Sequence, residues 1–574
     1  MYACQGWVYQ RQRSRRLALP YLGDMMRRSD LVLVATGPLL AMILWALNAL
    51  AGRAIIEAVY AGQTPFDLLN GVITGQAMHP VDYHLHKAQQ LVRGLVWLAS
   101  AAGPMVALYL ASVRRWPHSV VAQPLLGGAL LSTVLLCSLY LLRLPLLKLF
   151  PGWFWPLHDK PLPLAWLALP LVAGGWLLLR VVRSAPGRRR RNLMLLIFWC
   201  VCLQQGFVWF EGHGFTHMKQ RLTDTGHAIF AHTAVDQPSI WQVMTRYDEL
   251  LVSETAAGYF HATKPPGLQV FVMSVERLAH VLPGAGVDRL AAFAALLFPL
   301  LACACLLPLH GLMRLVAPDA EEAIPALLYV MVPSFVLINL HADQYLYPLL
   351  GTCCLYLYTR ALLRQELGTA VLAGLMFCLS LWISFALLAL APVVPVLAWV
   401  AARRSGWRSV GRSVVVAGGG CLLGFLLFLW GTDYDALQRW RLAMAAHEAA
   451  KIAQWGLAER VYFAVLNLVE FGLWCGPAMV LLVVADIGQT LKRLRTGDID
   501  LEQGLVLSLV VILMGLSIAG GSAGETARLW LFLLPLVAVA GARTLRRMAP
   551  GSVVWIVALQ FVLSLVMKAR QDFL

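Results

Sequence analysis

The stretch Asp224-Thr225-Gly226-His227, continued by Tyr259-Phe260-His261-Ala262-Thr263-Lys264-Pro265-Pro266-Gly267, is a polar island between two long apolar regions. Residues 211–264 gather Asp224, Asp236, Asp248, Glu249 and Glu254 with His213, His217, His227, His232 and His261, in a chain that is 59% hydrophobic overall. Ionisable groups at that density need water. The segment therefore belongs at or outside a membrane surface, and the regions flanking it belong within the membrane.

The rest of the chain agrees with that reading. Only 13% of the 574 residues are charged and the mean hydropathy is +0.69, whereas a soluble chain carries roughly 25%. Apolar runs near the ~20 residues that cross a bilayer recur at 31–50, 91–112, 124–142, 163–179 and 192–210, and continue to the C-terminus. The alternation of a β-barrel is absent. The expected fold is an all-α, polytopic membrane helical bundle of about fifteen spans, with external amphipathic helices. A formal charge of +16 invites a nucleic-acid partner, but the basic residues sit in short loops: Arg11–Arg16 with Arg27 and Arg28, Arg114 and Arg115, Arg188–Arg191, Arg403–Arg412, Lys492–Arg495, and Arg543 with Arg546 and Arg547. This is the distribution that holds loops in the cytoplasm, and it excludes nucleic acid as a partner. The eleven cysteines lie mostly in apolar runs, without zinc or disulfide spacing. Residues 1–28 carry no cleavable signal pattern.

With the basic clusters held inside, segments 211–264, 341–343, 433–460 and 525–528 all fall on the opposite, non-cytoplasmic side. Trp153 and Trp155 fit an interfacial aromatic belt, 369–401 reads as two short or bent helices around Ser384, Pro392 and Pro395, and 461–484 reads as one span. Acids, histidines and cations collected on one mouth of a helical bundle describe an active site facing the periplasm or exterior. Transporters usually place theirs at the bilayer midplane.

If 222–235 is helical, Asp224 and His227 share a face. Asp224 could then deprotonate an acceptor hydroxyl, or it is simply a solvated carboxylate. His341 and Asp343 are ordinary metal ligands, or a cap and its neighbour. His213 and His217 have i, i+4 spacing, although Gly212 and Gly214 argue against a stable helix there. Arg528 can hold a phosphate oxygen pair with Glu525 orienting it, or the two form a local ion pair. Segment 433–460, with Arg439, Arg441, His447, Glu448 and Lys451, reads as a solvated interfacial helix or a lid.

An acid soon after a span, followed by Tyr-Phe-x-x-x-Lys-Pro-Pro leading into further spans, resembles the first external loop of the GT-C superfamily of membrane glycosyltransferases, in particular the protein O-mannosyltransferases and the lipid A aminoarabinose transferases. The resemblance covers 192–574 and leaves 1–191 as an N-terminal accessory membrane module of about four spans. Many relatives carry Asp-Glu or Glu-Thr where this chain has Asp224-Thr225, and their loop follows the first span instead of the fifth. The resemblance implies a GT-C-like catalytic core and a multi-pass enzyme of the inner (plasma) membrane. It would transfer a sugar, with inversion, from a polyprenyl-phosphate-linked donor to a lipid, glycan or protein acceptor. Asp224 would be its general base, and Arg528 with Lys264 would bind the donor phosphate. His227, Tyr259, His261, His341, Asp343 and Glu525 would orient substrate. No cofactor is required by this reading, and a divalent cation at Asp343 and His341 is left open. The competing reading is a transporter or lipid flippase with an external charged vestibule.

Overall fold

Long apolar segments with few breakers leave helix as the one way to satisfy their backbone internally, and the described residues form helices and no strand. The computed structural model describes residues 28–47, 123–141, 160–184, 188–224, 228–252, 258–318, 323–338, 343–449, 456–522, 524–549 and 551–571, with isolated positions among 51–110 and at 155. The chain divides into two compact units, 1–127 and 128–574. Helix α1 (Arg28–Leu47), which contains Pro38, belongs to the first.

The following helices run α2 (Pro124–Leu141), α3 (Ala168–Ser184), α4 (Arg189–Trp209), α5 (Gly214–Thr223), α6 (Ile229–Asp236), α7 (Ile240–Thr245), α8 (Gly258–Ala262) and α9 (Gly267–Ala279). Then come α10 (Gly286–Ala304), α11 (Leu306–Val316), α12 (Ala323–Val330), α13 (Pro333–Leu337), α14 (Tyr347–Arg364), α15 (Leu367–Ile383), α16 (Val393–Ser405) and α17 (Trp407–Thr432). The last are α18 (Ala436–His447), α19 (Leu457–Cys475), α20 (Pro477–Thr496), α21 (Leu501–Ala519), α22 (Thr526–Leu529), α23 (Leu534–Leu545) and α24 (Ser552–Arg570).

Among the described residues, eight helical stretches are long and apolar enough to cross a membrane, or up to nine if a bent pair is one span, and shorter apolar helices cover Ala165–Val181, Leu367–Ile383 and Leu531–Leu545. The chain is a multi-pass membrane protein whose described residues are helical and contain no strand.

Where the helices break, the cause is local. The apolar run 323–337 is two helices of 8 and 5 residues. Pro333 opens the second, and Val332 before it is extended, because the proline ring disfavours helix in its predecessor. The expected single span 461–484 is instead α19 and α20, bent by 114° at Gly476, whose φ of 85° suits glycine, and Pro477. Residues 369–401 do divide as their prolines suggest: α15 stops at Ile383, and Ser384 caps a 3-10 turn before α16. Helices α15 and α17 touch backbone to backbone, since a Cβ on Gly374 would lie 2.0 Å from the Ala417 carbonyl oxygen. Trp155 is no belt residue: it is 2% exposed and packs edge-on against Trp474.

Candidate functional site

Lys264 stands between α8 and α9, where the chain turns. Its N–H donates to the His261 carbonyl at 3.1 Å, and Pro266 caps α9. A Cβ on Gly267 would meet the Trp382 carbonyl oxygen at 2.2 Å, so only glycine lets this turn press against the end of α15. The Lys264 stem is partly exposed while its Nζ is buried, 5.3 Å over the Phe230 ring. Phe230 meets His261 edge to face at 5.0 Å. The His261 Nε2–H donates to Gln269 Oε1 at 3.3 Å, Gln269 Nε2 donates to the Phe230 carbonyl at 3.2 Å, and the Tyr247 hydroxyl donates to the His261 carbonyl at 3.2 Å. Burial, with Lys264 adding to it, lowers the His261 pKa. The imidazole therefore favours its neutral form and serves as a fixed hydrogen-bond donor.

Arg528 lies in the single turn α22. That turn would be marginal alone, and its exposed amides are satisfied from elsewhere: Thr526 and Ala527 donate their N–H groups to Glu470 at 3.0 and 3.2 Å, Trp155 Nε1 donates to the same carboxylate at 2.8 Å, and Gly524 N–H donates to Asn467 at 3.2 Å. Glu470 thus acts as a cap supplied by α19. Arg528 pairs with Glu525 through Nε at 3.0 Å and through Nη2.

The two cations meet across the fold. Burial pushes the Lys264 ammonium well below the usual lysine range, the nearby Arg528 charge pushes it further, and Glu525 partly opposes this. The Tyr347 hydroxyl at the start of α14 accepts from Ser384 at 2.7 Å and lies within electrostatic reach of Arg528. Lys264, Arg528 and Glu525, which the resemblance groups around one phosphate, lie within electrostatic reach of one another, with His261 beside Lys264.

An apolar cavity of about 440 Å³ opens between α14, α15, α16 and α17, lined by Cys354, Tyr358, Phe377, Val394, Cys421 and Phe425 among others. Cys354 is seven residues along α14 from Tyr347, roughly 10 Å at the helical rise. Leu422, also on its wall, is 59% exposed, so the cavity reaches the flank of the bundle.

Asp224 ends α5 as an exposed residue, accepting a hydrogen bond from the Thr223 hydroxyl at 2.6 Å. The expected helix through 222–235 is not continuous: α5 stops at Thr223, α6 begins at Ile229, and 225–227 lie outside the described residues. Asp224 lies just past the end of α5, and the face it was expected to share with His227 falls outside the described residues. His341 and the side chains of Tyr259 and Asp343 are outside the described residues as well. Among those described, no group of three or more His, Cys, Asp or Glu is arranged to hold a metal. The glycines beside His213, both with positive φ, mark the start of a helix: α5 begins at Gly214 and carries His217, with His213 outside it at the N-cap. The rings of His213 and His217 are 6.0 Å apart, and His217 turns to Glu211 at 2.8 Å.

Sequence reasoning missed that Glu211 is a hub. It also pairs with Lys568 of α24, with Arg221 at 3.6 Å and with Lys160 at 3.9 Å. Burial alone would raise its carboxyl, but His217, Lys568 and Arg221 outweigh burial and hold it below the usual carboxylate range. Arg439 of α18 was read as interfacial. It is buried at 2% exposure, and pairs with Asp248 and donates to the Ala262 carbonyl. Glu470 was visible only as an acid inside an apolar run, and that anomaly was the available signal. No protein-family model matches the chain, and no curated protein matches it.

Proposed function

We propose that the chain is an integral-membrane glycosyltransferase of GT-C type, moving one sugar from a polyprenyl-phosphate carrier to an acceptor on the non-cytoplasmic face. The observation that carries this reading is the convergence of Lys264, Arg528 and Glu525 in a bundle that also holds a cavity of about 440 Å³ with apolar walls. A buried cation pair suits a phosphate, and an apolar cavity whose wall includes Cys354, about 10 Å along α14 from Tyr347, suits an isoprenoid chain. The acceptor oxygen attacks the anomeric carbon and its proton passes to Asp224. The bond from that carbon to the phosphate oxygen breaks, and its electron pair stays on the phosphate between Lys264 and Arg528. One displacement inverts the anomeric configuration. In this reading 192–574 is the catalytic domain, about fifteen segments enter the membrane, and the exposed Asp224 meets substrate when loop 211–264 closes.

A lipid flippase would use the same phosphate cluster without chemistry, and the 114° bend between α19 and α20 favours that second reading, because broken helices line transport sites. Purified protein in nanodiscs, given a polyprenyl-phosphate-linked sugar and candidate acceptors, separates the two. The enzyme releases polyprenyl phosphate with multiple turnovers, and Asp224→Asn abolishes release while leaving lipid binding intact. Full turnover by Asp224→Asn would remove Asp224 from the mechanism, and lipid translocation without sugar transfer would favour the flippase.

A further inference from the structure

Helix α18 bonds through one face to the segments on either side of the cation cluster. Arg439, Ala443 and His447 are spaced i, i+4, i+8, and the first two are 2% and 0% exposed. Arg439 grips the Ala262 carbonyl, two residues before Lys264, and the Asp248 carboxylate. Two turns on, roughly 12 Å along the axis, the His447 Nε2–H donates to the Gly521 carbonyl at 2.9 Å, on the loop that leads to Glu525 and Arg528. Asp435 caps the helix, accepting from the N–H groups of Leu437 and Gln438 at 2.9 and 3.0 Å. The opposite face leaves Leu437, Leu442 and Met444 exposed, as expected of a helix resting at a membrane interface.

We propose that α18 is a strap that fixes the separation of Lys264 and Arg528, with Arg439 and His447 as positioning residues that act on the phosphate only through those two loops. The inference rests on the lipid-phosphate reading of the cluster and adds residues that the reading does not require. Each loop alone is anchored at its far side, the first by the His261–Gln269 bonds and the second by Glu470. A strap joined to both makes the spacing of the two cations a property of one rigid helix. It predicts that loosening one peg is felt at the other loop, which independent local anchors do not.

The test uses the full chain in nanodiscs, with Arg439→Met, Arg439→Lys, His447→Leu and His447→Gln, and decaprenyl phosphate as the probe. Arg439→Met and His447→Leu should each lower decaprenyl phosphate affinity about tenfold, the scale of one lost charge-assisted hydrogen bond, with thermal midpoints near that of the parent. His447→Gln and Arg439→Lys, which keep a donor, should recover much of it. Amide exchange measured without ligand should rise at 520–528 in Arg439→Met and at 258–267 in His447→Leu. Exchange confined to the loop nearest each substitution overturns the strap, as does collapse of the fold in both apolar variants. If the parent protein binds no decaprenyl phosphate, the lipid-phosphate reading falls, while the cross-loop exchange still decides the strap.

Discussion

The segment from Glu525 to Arg547 carries an arginine–acid cluster at each end, and the two are built differently. At its far end, Asp486 lies 3.5 Å from Arg543 and 3.3 Å from Arg547, Glu502 pairs with Arg546 and lies 3.7 Å from Arg543, and Asp500 is 3.6 Å from Arg543. Each arginine there faces a carboxylate, so the network ties α20, α21 and α23 together. At the near end, Arg528 is close enough to Lys264 for its charge to add to burial in weakening the lysine's hold on its proton. Arginine–acid pairs of similar composition can thus serve as a tie in one place and as a seat for an anion in another. What distinguishes them is the balance of the charges named: three arginines with three carboxylates at the far end, Lys264 and Arg528 with Glu525 at the near one.

That contrast can be broken in three ways. The largest effect is expected at the tie: Asp486→Asn, which takes from the buried Arg543 the most deeply buried of its three carboxylates, should destabilise the protein by about 3 kcal/mol. Decaprenyl phosphate affinity of the folded fraction should be unchanged. Denaturation in detergent with a parallel binding isotherm checks this, and a loss of affinity without a loss of stability would mean that both ends bind ligand. Next, Arg528→Gln should weaken decaprenyl phosphate binding on the order of 100-fold and move stability little; an unfolded variant that keeps its affinity on ligand rescue would make Arg528 a tie as well.

The smallest effect is on pH. Because the Lys264 ammonium holds its proton less tightly than an ordinary lysine near ~10.4, phosphate binding takes up a proton once the pH exceeds that lowered value. Affinity then falls as pH rises, beginning well below the ordinary range. Measured above about pH 7, where the ligand's own second ionisation is complete, Lys264→Arg should flatten the slope, since guanidinium stays charged. Equal slopes in both proteins would assign the titration to another group.

Hydropathy carried the helical class of the fold, because a segment such as 407–432 can satisfy its backbone in lipid only as a helix. The breaks were harder. Gly476-Pro477 reads as an ordinary helix start, and nothing local states that α19 and α20 meet at 114°. Lys264 and Arg528 were each legible, the first from its Lys-Pro-Pro context and the second from its place at the mouth of a late apolar run. Their pairing was implied only by the family resemblance, and the packing behind it was not legible, since it depends on Gly267 lying against Trp382 and on Glu470 holding α22. Arg439 looked like any surface arginine of an amphipathic helix, and only the partner across the fold shows which face is inward. Glu211 was lost among neighbouring acids for the same reason, its main cation Lys568 being supplied by the last helix.

The most direct test of the central claim is an experimental structure of the chain in nanodiscs with bound decaprenyl phosphate. The account predicts the phosphate within hydrogen-bonding distance of both Lys264 Nζ and the Arg528 guanidinium, with the isoprenoid chain running into the cavity between Cys354 and Phe425. A phosphate bound elsewhere, with that cavity filled by ordinary bilayer lipid, would contradict it.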